Sequence, residues 1–327
     1  MFKMNHTITF NKTGYEPFID FIKAYAIVCV LIGHTFPYLK ASGYSLWYGM
    51  QVPLFVLVQV FHGLKKEHYS FSIKKIIKRI VFPFLFIQLI PLGYEIFKFG
   101  NTNKTIINWL IGGGYGPESY FPWIYIQLAV LLVYIKPWLD KGSKTKNLIA
   151  MLLICEGLEI LSSILGFPDW LYRLLSFRYF FLIYLGWLWV KEGIVLNVKT
   201  IVLSLLSMGA IIYFDYYYRP TEPWFYDTAW RFQRWPCYFY VSTLLCGGLY
   251  WIYNKTKGYS TIGYVSKTLA KCSYEIFLLQ MVIIPMMPQL DFIKNKIVCY
   301  GFRTALIFII SIVGGYYVNR FYNKICA

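Results

Sequence analysis

Lys23 and His34 are two ionisable side chains inside a run that is otherwise apolar from Phe21 to Thr35. An ionisable group well inside a bilayer costs about 3 kcal/mol, so such residues are functional candidates by default. Eleven residues separate them. At 100° per residue that is three turns plus about 20°, which puts both on one face, roughly 16 Å apart along the axis. A cation at one end can grip a phosphate. An imidazole at the other, titrating near neutrality, can take a proton from a hydroxyl. The separation is comparable to the reach of a pantetheine arm, so one helix could hold a coenzyme's phosphates and meet its thioester. A lysine near a helix end also snorkels to the interface, and a buried histidine also serves as a hydrogen-bonding packing residue. Neither role accounts for the shared face.

Other residues could complete such chemistry. Asp20 is too far along the helix to orient His34, so an orienting acid must come from another helix. Glu156 and Glu159, three apart, share a face and are candidates; the alternative is a carboxylate pair lining a hydrated cavity or paired to arginine. Lys74, Lys75, Lys78 and Arg79 form a patch able to hold coenzyme A phosphates by charge-assisted hydrogen bonds, or a plain topogenic cluster attracted to anionic lipid. The stretch from Arg219 to Trp235 mixes aromatics with charges. There Trp224 and Trp230 could stack on sugar rings while Asp227 and Arg231 meet hydroxyls, although an aromatic interface belt uses the same residue types. Arg173 and Arg178 add cations that suit an anionic acceptor. His62 and His68 read as ordinary interfacial residues.

The elements that must position these groups are membrane helices. Of 327 residues, 58% are hydrophobic, 21% aromatic and only 14% charged, with a mean hydropathy of +0.50. That excludes a soluble globular domain, which carries about 25% charge, and a disordered chain. Apolar runs of membrane length fall at about 18–39, 46–64, 80–98, 121–139, 148–166, 174–190, 200–218, 236–253, 273–290 and 300–319. The expected architecture is therefore all-α and polytopic, about ten transmembrane helices in a single domain over residues 1–327. A cytoplasmic N-terminus puts 20 of the 32 basic residues inside, so the positive-inside rule favours both termini in the cytoplasm. The net charge of +17 is then topological, with an outer share of arginines left over, and implies no nucleic acid. The N-terminus lacks the pattern of a cleaved signal peptide. Seven cysteines without a C-x-x-C pair indicate no metal site and no disulfide framework.

These residues resemble the membrane-bound acyltransferase family 3, which O-acylates surface polysaccharides and other extracytoplasmic acceptors in bacteria. The Lys23 to His34 spacing, with Asp20 and Ala24, is similar to the family's first helix. Val52-Pro53-Leu54-Phe55 resembles its second-helix motif. The basic run Lys74 to Arg79 followed by Pro83 resembles its lead-in to the third helix. Trp123, Tyr125 and Leu128 look like its Trp-Tyr-Leu segment, Phe180 to Gly186 like its Phe-rich stretch, and Ser273-Tyr274 through Gln280 like its late block. The likeness covers about residues 17 to 320. Two positions depart: Gln59-Val60-Phe61 stands for Ser-Gly-aromatic, and Gln280 for a histidine. An amide can hydrogen-bond but not titrate, which leaves His34 as the main base.

The resemblance implies a multi-pass enzyme of the bacterial cytoplasmic membrane that moves an acyl group, most simply acetyl from acetyl-CoA, to a glycan or glycolipid hydroxyl, with membrane lipid around it. His34 would be the base, Lys23 and the Lys74 to Arg79 patch would hold the donor, and Asp20, Gln59, Trp123, Tyr125, Tyr274 and Gln280 would support the site. A glycan exporter, flippase or polymerase component would show the same hydropathy without a donor site. A small-solute transporter is less consistent, since neither inverted repeats nor paired broken helices are evident.

Overall fold

Apolar runs bounded by Lys, Gly and Pro become helices in each of the ten expected segments, as lipid demands of a backbone that must satisfy its own polar groups. The computed structural model describes residues 6–11, 14–36, 46–47, 49–67, 69–100, 102–116, 119–213, 235–288 and 293–326. The helices are α1 (Pro17–Thr35), α2 (Gln51–Leu64), α3 (Ile73–Ile76), α4 (Phe82–Phe99), α5 (Thr102–Gly112), α6 (Phe121–Lys141), α7 (Lys144–Ile164), α8 (Asp169–Leu174), α9 (Phe180–Glu192), α10 (Val198–Tyr213), α11 (Trp235–Phe239), α12 (Cys246–Thr256), α13 (Ser260–Lys271), α14 (Ser273–Met286) and α15 (Lys296–Cys326). π-helical turns at Ile77–Val81 and Tyr240–Leu245 join α3 to α4 and α11 to α12, and a 3-10 turn at Phe177–Tyr179 precedes α9. Strands β1 (His6–Ile8) and β2 (Ile194–Leu196) pair antiparallel, His6 opposite Leu196 and Ile8 opposite Ile194.

Length and composition qualify fewer spans than the ten expected. Among the described residues five helices are long and apolar enough to cross a membrane, and the pair α13 and α14, bent by 67°, makes a sixth if counted as one. The reason lies in what surrounds the others. α2 and α9 have only 14 and 13 residues, and each is enclosed by protein along nearly its whole length. Gly186 of α9 lets the two cross closely, since a Cβ there would lie 2.5 Å from Val60 Cγ1. α1 packs beside them, against α2, α12, α13, α14 and α15. The long helices α4, α7 and α15 form the rim and expose Leu89, Leu153 and Ile309, as lipid-facing helices do.

Two local expectations change. The span expected at 273–290 begins at a sharp bend around Cys272, between α13 and α14, and Pro285 sits inside the last turn of α14. There it withholds an N–H only from the Met281 carbonyl. α5 and α13 arise from stretches expected to be connections.

Candidate functional site

α2 is the most informative element, because only three of its residues are not buried: Phe55, Gln59 and His62. Their spacing of four and three places them on one face, and the exposed Lys66 continues the line beyond the helix end. An interior helix thus keeps one partly exposed seam while α1, α6, α9 and the second π-turn cover the rest.

Four elements wall the seam. From α1, the charge of Lys23 acts on His62, as do those of Lys65 and Lys66. From α6, the Tyr125 carbonyl accepts from Gln59 Nε2 at 2.8 Å. The Tyr125 phenol lies in the field of Arg79, which belongs to the first π-turn. From α14, Tyr274 donates its hydroxyl to the Ile80 carbonyl at 2.9 Å, tying α14 to that same turn. The turn follows a short helix capped by Ser72, whose Oγ accepts from Lys75 N at 3.4 Å. Its wider winding is a local irregularity of the sort that often marks a functional position.

The lysines at the seam's mouth are tethered. Lys23 Nζ lies 3.7 Å from Asp20 Oδ1, and Asp20 in turn accepts from the Tyr15 hydroxyl. Lys65 Nζ donates to the Gly14 carbonyl at 2.9 Å. Lys66 lies 5.9 Å from the Tyr69 ring centre and Lys267 lies 5.7 Å from that of Tyr15, attractions of cation to ring face. Burial, then the bond to Asp20, raises the Tyr15 phenol above its ordinary range. Burial, then Tyr125, does the same to Tyr69. Both remain neutral hydrogen-bonding groups.

The seam ends on an aromatic floor, where Phe55 meets Phe121 at 6.1 Å and Phe121 meets Phe277 at 5.4 Å between ring centres. Beyond Phe277 by one turn of α14 lies Gln280, with 0% exposure. Among the described residues neither its Nε2 nor its Oε1 has a hydrogen-bond partner. Alongside runs a glycine-rich stretch, described from Gly112 to Gly116 and again from Ser119, that several side chains hold. Trp123 Nε1 donates to the Gly113 carbonyl at 2.8 Å, and Arg173 Nη2 and Ser119 Oγ donate to that of Gly112 at 2.9 and 3.2 Å. Gln88 Oε1 accepts from Trp109 Nε1 and from Tyr115 N, while its Nε2 donates to the Tyr115 carbonyl. Gly116 adopts a φ of 90° and lies so near α14 that a Cβ would stand 2.2 Å from the Met281 carbonyl oxygen. No other residue fits there.

The expected site residues are distributed unequally over this geometry. Lys23, Gln59, Arg79, Tyr125 and Tyr274 converge around the seam. Lys74, Lys75 and Lys78 are exposed on the neighbouring turns. His34 stands half-buried in the last turn of α1. It shares the face of Lys23, but Ile27 and Val30 between them both have 0% exposure. The continuous path expected along α1 is therefore packed shut, and the accessible path follows α2. Glu159 accepts from the Tyr172 hydroxyl, and its helix α7 packs on α9 and the 3-10 turn rather than on α1. That places its carboxylate with Tyr172 instead of beside His34, and Glu156 acts on Cys155. Arg173 is engaged by the loop backbone, and Arg178, 9% exposed, is enclosed by Tyr179, Tyr120, Tyr238 and Tyr172, so neither is an open cation at an outer mouth. Trp224, Asp227, Trp230 and Arg231 lie outside the described residues.

His62, Gln88 and Tyr69 emerge only from the structure. For His62 a signal existed: Gln59 and His62 interrupt an apolar helix on one face. The model of a family described as an acyltransferase domain matches residues 16–320. No curated protein and no solved structure matches the chain.

Proposed function

The chain belongs to this acyltransferase family, and from that premise we propose that it is a membrane O-acetyltransferase that uses cytoplasmic acetyl-CoA to acylate a hydroxyl of an extracytoplasmic glycan or glycolipid. It is a multi-pass membrane protein with an acyltransferase domain. The observation that carries the finer reading is the polar seam through an otherwise enclosed α2, with Lys23 and Arg79 on opposite walls. The phosphates of the donor would lie among Lys23, His62, Lys66 and Arg79, held by charge-assisted hydrogen bonds. Its pantetheine arm would follow Gln59 toward Phe55. The end of the bundle that carries this mouth then faces the cytoplasm, where the positive-inside rule puts both termini.

In the reaction, the acceptor oxygen attacks the thioester carbonyl carbon as His34 takes the hydroxyl proton. The C–S bond breaks as the C–O ester bond forms, and the proton on His34 passes to the departing thiolate. A base in this position contributes about 10²–10⁴-fold. The aromatic floor must open for the acyl carbon to pass from the seam to the level of His34. An exporter or flippase of glycans would have no use for a cation-rimmed seam that suits a coenzyme's phosphates.

The deciding experiment is mass spectrometry of surface glycans from cells with and without the protein. The expected result is the mass of one acetyl group, present with the wild type and absent with His34→Ala. Identical glycan masses, together with transport of lipid-linked glycan by the purified protein, would favour the exporter instead.

A further inference from the structure

We propose that Gln280 is a substrate-binding residue that positions the acceptor hydroxyl, an inference that rests on the acyl-transfer reading above. Among the described residues two glutamines have 0% exposure, Gln88 and Gln280, and the fold treats them in opposite ways. Gln88 spends both ends of its amide: Oε1 on Trp109 and Tyr115, Nε2 on Tyr115 and, at 3.6 Å, on Met281 Sδ. Gln280 spends neither end within the described residues. Its own helix offers nothing, since Ile276, Phe277, Ile283 and Ile284, the neighbours three and four residues away, are all apolar. In the glycine-rich stretch that touches α14 at Met281, Gln88, Trp123 and Arg173 already engage the backbone of Tyr115, Gly113 and Gly112. Buried polar groups in folded proteins almost always find partners, and an unfilled one calls for an explanation.

The pattern of the open amide defines its ligand. A thioester carbonyl only accepts, and would fill Nε2 while leaving Oε1 bare. A hydroxyl both accepts and donates, and neighbouring hydroxyls on one acceptor match the two ends together. Gln280 lies one turn beyond the aromatic floor, on the far side from the donor seam, which is where an acceptor entering from the opposite end of the bundle would meet an acyl group emerging through Phe55, Phe121 and Phe277. The amide has no proton to take up, so its part is to hold the oxygen while another group removes the hydrogen.

The test uses the full chain in detergent, with acetyl-CoA as donor and octyl glucoside as the hydroxyl probe. Gln280→Leu and Gln280→Met remove both hydrogen-bonding ends at similar volume. The expected result is a KM for octyl glucoside raised about tenfold or more, the cost of losing a specific hydrogen bond to a substrate hydroxyl, with the KM for acetyl-CoA unchanged. The ligand-free variants should melt about 2 °C higher than the wild type, since an unfilled polar group is replaced by an apolar one. A merely structural amide gives the reverse. Wild-type KM for octyl glucoside in both variants, or a lower melting temperature in both, overturns the proposal while leaving acyl transfer standing. A wild type that acetylates no hydroxyl defeats the reading beneath it as well.

Discussion

The two halves of this bundle treat their polar groups differently. At the end that carries Lys23 and Arg79, polar side chains line a partly exposed seam and the lysines at its mouth are held one by one, by a carboxylate, a backbone carbonyl or a ring face. At the other end, polar groups bond to one another through the glycine-rich stretch, while the Gln280 amide beside it has both ends open. An open set of donors suits a large anionic ligand that comes and goes. A closed set builds a rigid wall, and within such a wall an empty valence is informative. One half is therefore built for binding, and the other for position.

Several measurements would break or sharpen this contrast. The largest effect is expected from His34→Ala, which should lower acetyl transfer by about 10²–10⁴-fold with unchanged folding in detergent; near-normal transfer would remove the base from the position-holding half. Next comes Gln88→Leu. It strands Trp109 Nε1 and both polar groups of Tyr115, at about 3 kcal/mol in all, so the protein should unfold at clearly lower denaturant or temperature, opposite in sign to Gln280→Leu. Third, Arg79→Ala or Lys23→Ala should raise the KM for acetyl-CoA about tenfold, the scale of one charge-assisted hydrogen bond, and high salt should shrink the difference. A fall in stability instead would mean the seam is structural. The smallest effect belongs to Lys74→Ala and Lys75→Ala, exposed beside the seam rather than across it, with a change in KM under about twofold.

Much of this was legible in the sequence, and the failures share a cause. Apolar run length found the ten long apolar segments because lipid and core both demand apolar surface, but it missed α5 and α13, whose apolar residues are spaced rather than continuous. It could not tell a helix that faces lipid from one that faces protein, which is why α2 and α9 are shorter than expected. Helical arithmetic put Lys23 and His34 on one face of α1, and both lie in that helix. Whether a face is open depends on what packs against it, and Ile27 and Val30 are closed by neighbours distant in sequence. The same limit hid His62: it looked like an interfacial residue until α1 brought Lys23 beside it. Glu159 looked like a partner for His34 by depth alone, and depth says nothing about which helices are adjacent.

The short strand pair carries a consequence for how the molecule is made. Ile8 pairs with Ile194, so β1 cannot settle until β2, far along the chain, has been synthesised. Until then Ile8, which ends up almost wholly buried, and the aromatic side of Phe10 that packs on Phe61 and Trp189 have no place to go. Contacts between residues so distant in sequence form late because loop closure must precede them. The Gly14 carbonyl that restrains Lys65 follows the same strand, so the binding mouth would be among the last parts to assemble, after the rigid half is in place.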